Sequence, residues 1–137
     1  MTVLDRTNVR ALSLDLIGDP VDLVVADLSF ISLALVLAAL VGVATPEADL
    51  VVMVKPQFEV GKDRLGEGGV VRDPLLRAAA VRKIGDRATE LGLGVRAVTA
   101  SPLPGPAGNV EYFLWLSVGA PALGIADLEE AVAKGPA

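Results

Sequence analysis

A chain of 137 residues is long enough to bury one hydrophobic core, and its 53% hydrophobic and 21% charged residues suit a sheet covered by helices. It has no cysteine and no histidine, which excludes disulfides, thiolate or imidazole metal sites, cysteine nucleophiles and a Ser-His-Asp triad. Acid–base chemistry is left to carboxylates, lysines, the single tyrosine or water. The net charge of −5 argues against nucleic acid held by overall charge, although eight of the twelve basic residues lie between Lys55 and Arg87 and make that region locally basic.

In chain order, Met1 to Arg6 lacks the basic-then-apolar order of a signal peptide. Val3-Leu4 reads as the end of a short strand, and Asp5-Arg-Thr-Asn8 as the turn after it. An acid there can bond a nucleoside, but an Asp or Asn in a turn is more often ordinary turn chemistry. Arg10 to Ile17 reads as a brief helix stopped by Gly18-Asp-Pro20. A strand from Asp22 to Ala26 then delivers Asp27, and Ser29 or Ser32 can cap an uncharged helix running to about Val43. The apolar run from Ile31 to Ala44 is too short to cross a bilayer, so it is expected as a buried helix of a cytoplasmic protein. Thr45-Pro-Glu47 should turn the chain into a strand from Asp49 to Val54, completing a βαβ crossover and hence a parallel pair.

That second strand is the centre of the expected fold. Val51-Val-Met-Val54 shows no polar alternation, which predicts cover on both faces. Lys55 follows at its carboxyl end, the rim where open α/β sheets bind ligands, and Pro56 takes the chain out of the sheet. Gly61 to Gly69 is a glycine-rich charged loop without Walker A order. Asp73-Pro74 predicts a helix start. Leu75, Leu76, Ala79, Ala80, Ile84, Ala88 and Leu91 should form its core face, with Arg77, Arg82, Lys83 and Arg87 on a solvated face. Val95 to Thr99 reads as a strand, and Ser101 to Gly108 as a shaped loop leading into a strand from Asn109 to Leu116. A tail from Gly119 carries one amphipathic helix around Ile125, Leu128 and Val132. If the 109–116 strand runs antiparallel to the other two, its start meets their ends, and Asp27, Lys55 and Glu111 converge. Two carboxylates and a lysine suit deprotonation of an unactivated alcohol such as a ribose hydroxyl. Taken singly, each is also an ordinary helix-entry acid, surface lysine or sheet-edge acid.

Five segments carry a resemblance: Asp5-Arg-Thr-Asn8, Ala26-Asp-Leu-Ser-Phe-Ile-Ser32, Val54-Lys-Pro-Gln-Phe-Glu-Val-Gly61, Gly68-Gly-Val-Val-Arg-Asp73 and the run from Ser101 to Trp115. In content and order the chain resembles the TlyA family, haemolysin-like proteins with an FtsJ-type ribosomal RNA 2'-O-methyltransferase domain. The resemblance implies methyl transfer from S-adenosylmethionine to cytidine ribose in ribosomal RNA. It carries Asp27, Lys55 and Glu111 onto the last three members of a Lys-Asp-Lys-Glu tetrad, and it places Asp5 and Asp27 beside the cofactor. The tetrad's first lysine, the glycine-rich cofactor loop and a basic S4-like domain that engages ribosomal RNA or ribosomal subunits would all lie upstream of residue 1.

The expected fold is therefore α/β, a partial Rossmann-like class I methyltransferase fold of FtsJ type. Its sheet is mixed, with one antiparallel strand, and lacks the amino-terminal strands. Residues 1–118 would be the carboxyl-terminal part of the methyltransferase domain and 119–137 a tail. A non-catalytic remnant or interaction module is the alternative. A membrane-active protein is disfavoured because no segment can span a bilayer.

Overall fold

The computed structural model describes residues 3–136, which form a four-stranded mixed sheet with helices against it. In chain order the elements are α1 (Leu14–Ile17), β1 (Val21–Ala26), α2 (Leu33–Gly42), β2 (Ala44–Val54), α3 (Pro74–Glu90), β3 (Gly94–Ala100), β4 (Tyr112–Ser117) and α4 (Ile125–Lys134). The spatial order is β1-β2-β4-β3. β1 and β2 are parallel, and β4 runs antiparallel to both β2 and β3, so the last strand is inserted between its predecessors.

Local chemistry sets the helix boundaries. Ser32 caps α2 by accepting from the Ala34 amide, and Asp73 caps α3 by accepting from the Leu75 amide, with Pro74 at the first helical position. α2 and α3 cover one face of the sheet. Val36, Leu37, Val81 and Ile84 meet Leu50, Val52, Val54, Tyr112, Leu114 and Leu116 in one cluster, each apolar side chain contributing about 1.5–3 kcal/mol by leaving water. Leu128 of α4 joins the same cluster.

The structure departs from the sequence expectations in several places, and the expected strand from Asn109 to Leu116 begins only at Tyr112, leaving Glu111 just before it. Val3 and Leu4 lie outside any strand and are exposed; a strand needs a ladder, and among the described residues nothing pairs with the outer edge of β1. The stretch from Arg10 to Ile17 is not one helix but a 3₁₀ turn at Val9–Ala11 followed by the single turn of α1. Thr45-Pro-Glu47 does not precede the strand but lies within β2, as an irregularity between the pairs Val21–Ala44 and Leu23–Asp49. Finally, the sheet is covered on one face only. Leu23, Val25 and Trp115 are exposed on the other, and Val51, Met53 and Phe113 are only half covered.

Candidate active site

Register brings the rim together. The β1–β2 ladder ends at Ala26–Val52 and the β2–β4 ladder at Val54–Tyr112. Lys55 and Glu111 are thus one step beyond the last pair on facing strands, and Asp27 is one step beyond β1. The Lys55 ammonium contacts Asp27 Oδ1 at 2.5 Å and donates to Ser29 Oγ at 3.0 Å. Lys55 is buried, whereas the Asp27 side chain is 65% exposed. A lysine has three N–H donors; these two contacts leave one for a substrate.

Glu111 is buried and accepts from Gln57 Nε2 at 3.1 Å. That contact fixes the Gln57 amide, because the opposite orientation would set two acceptors against each other. The remaining Gln57 oxygen is buried without a partner among the described residues. Gly105 closes the other side: a Cβ there would lie 2.5 Å from Glu111 Oε2 and 2.6 Å from its carboxyl carbon, so the carboxylate occupies space that only glycine leaves. No hydrogen bond or ion pair joins Lys55 to Glu111 among the described residues. The structure pairs Asp27 with Lys55 directly and sets Glu111 on the facing strand end. Asp5 stands apart, in an exposed turn where its carboxylate accepts from the Arg6 amide at 3.1 Å.

Several contributors escaped the reading of the sequence. Ser29, in the sequence a candidate helix cap, binds Lys55 instead. Gln57 and Gly105 carry no signal until the loops are folded together. Glu59, four residues after Lys55, has a side chain only 1% exposed. It accepts from Ser32 Oγ at 2.6 Å, the Leu33 amide at 2.7 Å and Lys83 Nζ at 3.1 Å, tying the loop after Lys55 to the start of α2. Phe30 is 90% exposed and held at φ 65°, with its ring centroid 5.3 Å from that of Phe58. A left-handed aromatic residue is strained, and such strain gathers at functional sites. The other non-glycine residues with positive φ, Arg6 and Ala107, also sit in loops of the recognised segments. Tyr112, the single tyrosine, is fully buried and its hydroxyl has no partner among the described residues. Burial pushes its pKa above the ordinary value of 10.0, and the nearby Arg77 charge only partly opposes this, so the phenol stays protonated and is not a base.

Comparison with known proteins gives the family of the chain. The sequence model described as FtsJ-like methyltransferase matches residues 1–118. The chain belongs to the FtsJ-like methyltransferase family. It is 61% identical over 133 residues to the 16S/23S rRNA (cytidine-2'-O)-methyltransferase TlyA of Mycobacterium tuberculosis, covering 96% of this chain and 50% of that relative. A solved structure of a candidate hemolysin from Lactococcus lactis superposes with a TM-score of 0.88 at 32% identity, covering 97% of this chain and 65% of that one. A second, from Streptococcus thermophilus, gives 0.86 at 30% identity, covering 94% and 48%. The chain thus spans about half the length of the curated FtsJ-like relative from M. tuberculosis. No helix among the described residues is long and apolar enough to cross a membrane.

Proposed function

We propose that this chain is the carboxyl-terminal part of a cytoplasmic rRNA 2'-O-methyltransferase that uses S-adenosylmethionine and acts on cytidine ribose. In this reading residues 1–118 belong to the methyltransferase domain and 119–137 form its tail, and ribosomal RNA or ribosomal subunits are engaged with the help of an upstream S4-like domain. The observation that carries the reading is the Lys55 ammonium, held by Asp27 and Ser29 at adjacent strand ends with one donor direction unused. An oxygen nucleophile bound there meets a fixed charge in a largely buried position, where electrostatic stabilisation is strongest.

S-adenosylmethionine is a cation bearing an amine and hydroxyls, so its holder needs acceptors at the strand ends. Asp27, largely exposed on the rim at the end of β1, is such an acceptor and fits that part of the molecule, whereas Asp5 is offered as a second acceptor by the family resemblance alone, since it lies in an exposed turn apart from the rim. When bound, the cofactor supplies an electrophilic methyl group. This chain's residues then handle the hydroxyl. Lys55 Nζ holds the 2'-oxygen; once its own extra proton has left to solvent along the exposed Asp27 rim, its lone pair takes the hydroxyl proton as the oxygen bonds to the methyl group. Ser29 keeps Nζ in place, while Glu111, fixed by Gln57 and Gly105, sets the opposite wall of the site. Phe30 offers an exposed ring beside this site, a face on which an unstacked base can lie.

The test joins residues 1–137 to the half of the M. tuberculosis relative that the chain does not match. The fusion is expected to transfer methyl groups to cytidine 2'-oxygens of ribosomal RNA, and Lys55→Ala to abolish transfer without abolishing RNA binding. A fusion that binds RNA and cofactor but transfers nothing would favour a non-catalytic module.

A further inference from the structure

Beyond the rim, the fold holds a buried cation that the proposed reaction leaves idle. Arg77, expected on the solvated face of α3, is instead only 9% exposed. Its Nε donates to the Val71 carbonyl at 3.0 Å, and its two Nη groups have neither ion pair nor hydrogen bond among the described residues. The Nη groups are not among the buried polar atoms left without a partner, so the tip of the side chain reaches solvent, and Arg77 lines an open groove of about 540 Å³ together with Val70, Arg72, Pro74, Ala107 and Gly108. No carboxylate lines that groove, which is unusual on a chain of net charge −5. A separate cleft on the other side of Arg77 includes Glu129, which forms no ion pair with it.

The groove is built rather than incidental. Asn109, itself buried, accepts from the Val71 amide at 2.9 Å and donates to the carbonyls of Gly69 and Pro106, fastening the loop before α3 to the loop before β4. Ala107, on the groove wall, is held at φ 58°. The Gly105 amide bonds the Asn109 carbonyl, and Gly105 packs against Glu111, so the groove lies one loop away from the candidate active site.

We propose that Arg77 and Arg72 form a phosphodiester-binding groove for the RNA strand flanking the methylated nucleotide. This rests on the RNA reading above and adds where the substrate backbone runs. A planar guanidinium with free Nη groups matches a phosphate bidentately, and a groove lets a strand pass where an enclosed pocket would not.

The experiment uses the fusion protein and a short rRNA fragment, with binding measured against salt concentration. Arg77→Met and Arg72→Gln are each expected to weaken binding about tenfold near physiological salt and to reduce the logarithmic salt slope by about one. Arg77→Lys, which keeps the charge but loses the Nε bond to Val71, is expected to retain the slope. If Arg77→Met does not fold, Arg72→Gln decides, because Arg72 is exposed. Unchanged slopes in a fusion that still methylates RNA would overturn the groove and leave the proposed function standing, whereas a wild-type fusion that fails to bind RNA would overturn both. Following the Arg77 Nε–H resonance distinguishes the ligand's source: a shift with RNA but not with millimolar inorganic phosphate is expected. A response to phosphate alone would assign the groove to a small anion and overturn the proposal.

Discussion

At the scale of single residues, the candidate site depends on which group can move a proton. Lys55→Arg keeps a positive charge beside Asp27 but cannot give up a proton and replaces a point donor with a planar fork. In the fusion it should leave RNA and cofactor binding within a few-fold and lower the single-turnover methylation rate by about a hundredfold or more. A near-normal rate would reduce Lys55 to a fixed charge. Tyr112 predicts a pH dependence of stability. Its folded pKa is raised by burial, so above about pH 10 the unfolded chain releases the phenolic proton while the folded chain keeps it, and stability falls as pH rises further. Tyr112→Phe removes both this loss and an unpaired buried hydroxyl. Urea midpoints of the fusion should therefore be equal to or above wild type near neutral pH, and the gap should widen in favour of the mutant above about pH 10. A gap independent of pH would mean that Tyr112 does not titrate differently on folding.

At the scale of elements, the rim is made by short loops that long-range polar contacts hold still. Asn109 is the strongest of these fasteners, spanning 38 residues to the Val71 amide. Asn109→Ala would strand a buried amide and remove two further bonds, a loss of about 2–4 kcal/mol. Hydrogen exchange should show it as faster exchange of Val71 and its neighbours, with α2 unchanged. Exchange that stays slow at Val71 would place the fastening elsewhere. Glu59 performs the parallel service for the Lys55 loop, since its carboxylate sits at the positive end of α2 and binds Ser32, Leu33 and Lys83 together.

At the scale of the whole molecule, the bare face of the sheet matters most. Leu23 and Val25 are 60% and 71% exposed on β1, whose outer edge has no partner among the described residues, and Trp115 stands on the same face, bonded to Asp49 at 2.8 Å. An apolar face beside an open edge promotes association between chains. Residues 1–137 expressed alone should self-associate, and charged residues at Leu23 and Val25 should suppress this; light scattering that finds a clean monomer at high concentration would contradict it. Calorimetry should also find weak or no S-adenosylmethionine binding to residues 1–137 alone, because the described residues contain no glycine-rich strand-to-helix turn to hold the methionine end. The fusion should bind normally.

The sequence alone determined most elements and the strand ends at which Asp27, Lys55 and Glu111 lie, because caps, prolines and apolar runs are local signals read from neighbouring residues. Periodicity could not say which side of β2 would be covered, since Val51 and Met53 look the same whether a helix lies over them or not. It misplaced Arg77 for a related reason: the face a helix buries depends on how it is rotated against the sheet, and the buried stripe runs through Ala80, Val81, Ile84 and Ala88 rather than Leu75 and Ala79. The contacts that complete the site, Ser29 on Lys55, Gln57 and Gly105 on Glu111, and Glu59 on the start of α2, join residues separated by 6 to 54 positions. Only tertiary structure decides them, because a hydrogen bond between distant residues exists only once packing has set both ends within its short reach.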